Sequence, residues 1–237
     1  MSTNLKVAFL MDPLEKLDLK GDTSFALALE AQERGHTIHH FTPDALILRS
    51  NKVLANICKF ELVIENELNK YKYYEKNIQL LSDFDIVLMR QDPPFDMSYI
   101  TATHLLEKLP KKTIVVNNPF EVRNAPEKIF VTNFPHLMPE TLITKDINVI
   151  KSFRDEFQDI IIKPLYGNGG QGVFHLKPND ENFYSILEMF FKQSNEPLMI
   201  QKYLKDVRNG DKRIILLNGE IVGALNRVPQ IGESRSN

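Results

Sequence analysis

Lys163 stands four residues ahead of a glycine-rich run, Gly167-Asn168-Gly169-Gly170-Gln171-Gly172. A lysine on a strand beside a turn with few side chains is the strongest chemical signal in the chain. Bare backbone approaches an anion closely and can aim N–H groups at phosphate oxygens, and the lysine adds a point charge to the same oxygens. As letters, Gly167, Gly169 and Gly172 also satisfy G-x-G-x-x-G. A dinucleotide cradle, however, needs a helix opening at the third glycine and an acid about 20 positions further on. Here Val173-Phe174-His175-Leu176 reads as a strand, and the first β-α junction, Met11 to Asp22, holds only Gly21. A dehydrogenase is therefore rejected in favour of a mobile hairpin over phosphates. On the letters alone, a flexible turn beside a solvated lysine fits as well.

Further candidates are weaker one by one. Lys128 follows the Asn117-Asn118-Pro119 turn on a short helix, where alone it would be a surface lysine. Gln201, Tyr203 and Leu204 follow a strand, and such a segment can offer hydrogen bonds to a flat purine edge; it is also an ordinary strand end. Asp211, Lys212 and Arg213 enter one strand and Arg227 leaves the next, so two guanidinium forks can grip a carboxylate or acyl phosphate, or can simply cover a solvated sheet face.

The elements that must position these residues are legible from periodicity. Lys6 to Met11 reads as a buried strand, and Asp22 to Arg34 as a helix capped by Asp22, with Phe25, Ala28, Leu29 and Ala31 on one face and Gly35 as stop. Strands follow at 36–41, 85–89 and 113–116, with a helix at 98–109 ended by Pro110. This alternation predicts a parallel α/β sheet. Residues 45–82 are the least readable, with a hairpin suggested around Cys58 to Ile64 and Tyr71, Tyr73 and Tyr74 more suited to packing than to chemistry. From Pro119 the texture changes to a loop, a helix over 126–134, and then short strands. Strands at 159–163 and 173–176 flank the glycine turn, a helix runs over 180–193, and a strand at 198–201 follows. Arg213 to Leu217 pairs with Glu220 to Leu225 across Asn218-Gly219, a turn pair tolerant of positive φ. This second half predicts an α+β unit.

Among 237 residues, 29 Lys+Arg against 31 Asp+Glu leave a formal charge of −2, which argues against the positive field of a nucleic-acid or anionic-lipid binder. No apolar run approaches the roughly 18 residues of a membrane span, and the apolar run Val7 to Met11 is too short for a secretory signal. The lone Cys58 fits a reducing, cytoplasmic setting as a small buried hydrophobe. A small-molecule ligand is the expectation.

From about Leu5 to Asn237 the sequence resembles the bacterial (prokaryotic-type) glutathione synthetases, which are ATP-grasp ligases. The resemblance rests on Phe9-Leu-Met-Asp-Pro-Leu14, on Asp22 to Gly35, on Leu88-Met-Arg-Gln-Asp-Pro-Pro-Phe-Asp96, on Glu127-Lys128, on Ile160 to Gly172, on Gly210-Asp-Lys-Arg213, and on Arg227 to Asn237. The first three motifs separate this family from other ATP-grasp proteins; the alternative readings are another ATP-grasp carboxylate–amine ligase, or a nucleotide-binding module without catalysis.

The resemblance implies an α/β N-terminal domain over residues 1–124, Rossmann-like with a parallel sheet. An incomplete α+β ATP-grasp domain would occupy 125–237, with a lid subdomain over about 140–195. Lys128 and Lys163 would hold the ATP phosphates beneath a lid carrying Gly167, Gly169, Gly170 and Gly172. Gln201, Tyr203 and Leu204 would line adenine, and Asp211 would belong to the ATP site. Arg213 and Arg227 would stabilise the phosphorylated carboxylate, and Ile231, Gly232, Glu233, Ser234 and Arg235 would begin a closing loop.

The implied reaction joins γ-glutamylcysteine and glycine through an acyl phosphate, with ATP and magnesium or manganese, in a cytoplasmic homo-oligomer. Family members continue through further strands and a Glu-x-Asn metal pair, for which residues 196–237 offer no counterpart. The metal ligands are therefore expected beyond Asn237. The chain is expected to be a fragment or a truncated product that does not catalyse ligation alone.

Overall fold

The computed structural model describes residues 4–19, 21–65 and 68–230, so the closing-loop residues Ile231, Gly232, Glu233, Ser234 and Arg235 lie outside the described residues. The chain divides into two compact units, Met1–Pro126 and Glu127–Asn237.

The first unit contains β1 (Lys6–Leu10), α1 (Thr23–Glu33), β2 (Thr37–Phe41), β3 (Leu46–Arg49), β4 (Lys52–Glu65), β5 (Leu68–Leu80), β6 (Ile86–Met89), α2 (Met97–Leu106), β7 (Ile114–Val116) and α3 (Pro119–Asn124). Helix α1 starts where the Asp22 carboxylate accepts the Phe25 N–H at 2.8 Å, and the chain leaves it through Gly35 at φ +82, a conformation that costs glycine little. The sheet runs β3-β4-β2-β1-β6-β7, with β5 on β4. Alternation along β1 divides its side chains between two cores. Val7 and Phe9 pack with Phe25 and Ala28 of α1, and Ala8 and Leu10 pack with Leu106 of α2.

The expected parallel sheet holds for β2-β1-β6-β7, but β4 runs antiparallel to β2, β3 and β5, so the sheet is mixed. The reason is connection length. Ser50 and Asn51, both at positive φ, turn β3 directly into β4, and a turn that short can join only antiparallel strands. The helix expected over 98–109 ends at Leu106, and tighter turns carry the chain on, with Lys108 N–H bonded to Leu105 O and Leu109 N–H to Leu106 O. The loop expected after Pro119 is instead α3. Asn118 Oδ1 accepts the N–H groups of Phe120 and Glu121, and proline at the first helical position sacrifices no bond.

The second unit contains α4 (Glu127–Phe130), β8 (Thr141–Thr144), α5 (Ile147–Phe157), β9 (Ile160–Pro164), β10 (Phe174–Leu176), α6 (Phe183–Gln193), β11 (Leu198–Lys202), β12 (Asp211–Leu217) and β13 (Glu220–Arg227). The helix expected over 126–134 is a single turn, α4, followed by 3₁₀ turns at Val131–Asn133 and Pro135–Leu137. Pro135 drives the residue before it out of the helical region, and Phe134 sits at φ −123, ψ 58. Helix α5 was not anticipated, and its start is fixed by Asp146 Oδ1, which accepts from Asn148 and Val149. An antiparallel sheet runs β10-β9-β11-β8, and β12 pairs with β13 through the expected turn, with Asn218 at φ 51 and Gly219 at φ 85. Among the described residues no helix is long and apolar enough to cross a membrane.

Candidate functional site

Strand alternation in the second unit builds the site. Ile160 and Ile162 of β9, Leu198 and Ile200 of β11 and Leu176 of β10 point into a core closed by Ile150 of α5 and by Phe183, Leu187 and Phe190 of α6. The period of two then forces Ile161, Lys163, His175 and Gln201 onto the opposite face. There a cavity of about 230 Å³ is lined by Lys163, Gln201, Tyr203 and Leu204, together with Ile161 and His175. Gln201 is buried, and its side-chain amide donates to Thr141 Oγ1 at 2.8 Å. Tyr203 donates its main-chain N–H to Asp159 O at 3.0 Å. One wall of the cavity is thus a strand end with a fixed backbone, and the floor is apolar.

At the end of β9, Lys163 lies close to Lys128. Burial and then the neighbouring Lys128 charge push the Lys163 ammonium below the ordinary lysine range, partly opposed by Glu127. Lys128 is itself largely covered, with its side chain 16% exposed, and Glu127 stands 3.6 Å away. Its ammonium donates to Gly167 O at 2.5 Å and to Leu165 O at 3.3 Å. Two partly covered lysines with one exposed carboxylate, Glu127, nearby make a place where an added anion is favoured.

The glycine run is a turn, as expected, with Gly169, Gly170 and Gly172 at φ 59, 71 and 68. Gly172 is constrained twice, since a Cβ there would sit 3.1 Å from Pro164 Cδ and 3.3 Å from Phe190 Cε1.

Asp211, Arg213 and Arg227 lie on the β12–β13 hairpin. Asp211 is directly opposite Arg227 and Arg213 opposite Leu225, so alternation puts Asp211, Arg213 and Arg227 on one face. The Arg227 guanidinium bonds the Asp211 carboxylate. Neither arginine lines the cavity around Lys163. Of the residues that the sequence singled out, the structure places Lys163, Gln201, Tyr203 and Leu204 around one cavity, beside His175 and Arg208, which the sequence reading passed over. The available signal was the alternation Val173, His175, which sets both residues on the face of Ile161 and Lys163.

In the first unit, a second polar group gathers where β1 and β6 end, the edge at which open α/β sheets meet ligands. Arg90 donates through Nε to Ser24 Oγ at 3.2 Å. Burial, with the charges of Asp12 and Asp22, holds the Asp92 carboxyl above its usual range, against the pull of Arg90.

Comparison with known proteins matches both units of the chain. The N-terminal domain of prokaryotic glutathione synthetase matches residues 5–123, and the ATP-grasp domain of prokaryotic glutathione synthetase matches residues 127–237. The chain belongs to the prokaryotic glutathione synthetase family. Among curated relatives, the glutathione synthetase of Mesorhizobium japonicum is 58% identical over 98% of this chain and 74% of its own length. That of Vibrio parahaemolyticus is 40% identical over the same shares. Solved structures show the ATP-grasp fold at lower identity. An ATP-grasp RimK domain protein from Sphaerobacter thermophilus superposes with a TM-score of 0.62 at 18% identity, covering 94% of this chain and 73% of that one. D-cycloserine synthetase DcsG gives a TM-score of 0.61 at 13% identity, covering 94% and 68%. Glutathione synthetase membership carries ATP-dependent ligation, small-molecule substrates and dependence on a divalent cation.

Proposed function

We propose that the open face of the β9–β11 sheet binds ATP and that the protein joins γ-glutamylcysteine to glycine. The observation that carries the nucleotide assignment is that Lys163, on the wall of an apolar cavity, lies near Lys128, whose ammonium bonds the Gly167 carbonyl of the glycine turn. A polyphosphate neutralises the lysines, while a flat base suits a cavity walled by Ile161, Tyr203 and Leu204.

In this reading a carboxylate oxygen of the cysteinyl residue attacks the γ-phosphorus and ADP leaves, giving an acyl phosphate. The glycine amine then attacks the acyl carbon, phosphate departs, and the nitrogen loses a proton. Phosphoryl transfer depends on positioning and charge neutralisation. Lys128 and Lys163 do this for the phosphates, and Arg213 and Arg227 hold the attacking carboxylate and then stabilise the negative charge that grows on the acyl oxygen as the amine adds, with Asp211 orienting Arg227. The glycine turn excludes water that would hydrolyse the acyl phosphate.

The divalent cation we assign is magnesium, with manganese as substitute; when bound it neutralises phosphate charge. Among the described residues no three His, Cys, Asp or Glu side chains group to hold a metal. The test is an assay of the full-length protein with ATP, γ-glutamylcysteine and a panel of amines. Glycine-dependent ADP release supports the proposal, and ADP release that ignores γ-glutamylcysteine contradicts it.

A further inference from the structure

The cavity beside Lys163 has a wall that the phosphate chemistry leaves unexplained. His175 occupies the middle of β10, where it pairs with Ile161 of β9. Its ring lies 3.9 Å from the ring of Tyr203 at an interplanar angle of 19°, a stacked pair. Its Nε2 lies 3.3 Å from Asp159 Oδ1. Asp159 acts twice, because its main-chain carbonyl also accepts the Tyr203 N–H at 3.0 Å. On the far side Arg208 donates through Nε to the Tyr203 hydroxyl oxygen at 3.2 Å. The Tyr203 ring is therefore held on one face by His175 and at its tip by Arg208, while its backbone is tied to the start of β9. His175 is well covered, with its side chain 18% exposed.

We propose that His175 is a positioning residue for the nucleobase: by clamping Tyr203 against Asp159 it presets the segment Tyr203–Leu204 to receive the base. This inference rests on the ATP reading above and deepens it. Left alone, a strand end such as Tyr203-Leu204 would sample many conformations, and ordering it on binding would weaken affinity; a stacked and hydrogen-bonded partner removes that cost in advance. The clamp joins elements that are far apart in sequence, the start of β9, the strand returning from the glycine turn and the segment after β11. It also lies at the base end of the cavity, so it acts on the base and leaves the phosphates to the lysines.

Calorimetry on the full-length protein separates these ends by using two probes, ATP and inorganic tripolyphosphate. His175→Ala is expected to raise the Kd for ATP about tenfold, the scale of a lost aromatic stack and hydrogen bond, and to leave tripolyphosphate affinity unchanged. His175→Phe, which keeps a ring on Tyr203 and loses only the Asp159 contact, should recover most of that loss. In turnover, His175→Ala should raise KM for ATP with kcat intact. ATP affinity unchanged in His175→Ala, or lost equally for tripolyphosphate, overturns the inference. If His175→Ala does not fold, His175→Leu, which fills the site but loses both the stack on Tyr203 and the Asp159 contact, decides it: a loss of ATP affinity without loss for tripolyphosphate supports the clamp, and wild-type ATP affinity, or an equal loss for both probes, overturns it. Failure of the wild-type protein itself to bind ATP would instead remove the underlying reading.

Discussion

Lys128 holds its ammonium nitrogen 2.5 Å from the carbonyl oxygen of Gly167. An ammonium suited to phosphate thus closes on the main chain of the glycine turn, and Leu165 O shares it. Lys128→Met should loosen this turn before any nucleotide arrives. Charged hydrogen bonds of this kind contribute about 1.5–3 kcal/mol, so amide exchange over residues 165–172 should quicken about tenfold or more in the nucleotide-free protein. Unchanged exchange would mean that the contact does not restrain the turn.

The glycines of that turn differ in what they tolerate. Gly172 is held by both its φ of +68 and its contacts with Pro164 and Phe190, whereas at Gly169, φ +59, nothing stands within 4 Å of an added Cβ. Gly172→Val should therefore lower stability, by about 1–3 kcal/mol for overpacking and strain. A Gly169→Val, Gly170→Val double variant should stay folded and lose turnover. Full activity in that double variant would reduce the run to an ordinary turn.

Arg227 and Asp211 face each other across the hairpin, joined by an ion pair. If Arg213 and Arg227 act on charge that develops in the transition state, Arg227→Ala lowers kcat by at least about tenfold and leaves ATP affinity nearly intact. Steady-state kinetics decide this. A change confined to KM for ATP would move Arg227 away from the carboxylate.

The first unit should be sensitive to acid. Burial, reinforced by the Lys6 charge, pushes His39 from 6.5 down to about 4, and burial likewise lowers His40. Both rings are favoured neutral in the folded state. Their contribution is therefore complete above the unfolded value and is lost as pH falls from about 6.5 towards 4, up to roughly 3 kcal/mol for His39. Urea unfolding at pH 7, 5.5 and 4.5 should show this decline, and His39→Phe should reduce it, leaving the part due to His40. Stability independent of pH across that window would contradict the assignment.

Local chemistry made much of this fold legible. Asp22 and Gly35 mark the ends of α1, and Asn218-Gly219 marks the last hairpin, because each acts through its own backbone. Helix α5 carried a signal that was passed over, an Asp146 cap followed by Ile150, Phe153 and Phe157 at helical spacing on the core face, and α3 escaped because Pro119 looked like an interruption although it occupies a first-turn position. The antiparallel insertion of β4 depended on a turn, Ser50-Asn51, with no glycine to announce it. In the site, Lys163 and the glycines stand close in sequence and were readable together. His175 was not, since its partners Asp159 and Tyr203 reach it only through the pairing of β9 with β10 and β11.

The central claim is that Lys163, desolvated beside Lys128, is poised for the phosphates of ATP. Calorimetric titration of ATP into the full-length protein and its Lys163→Met variant tests it most directly. The variant removes the charge and keeps much of the volume. The account predicts a loss of at least about 2 kcal/mol, which is roughly a thirtyfold rise in Kd. Equal ATP affinity in the two proteins would contradict it and take Lys163 out of the site.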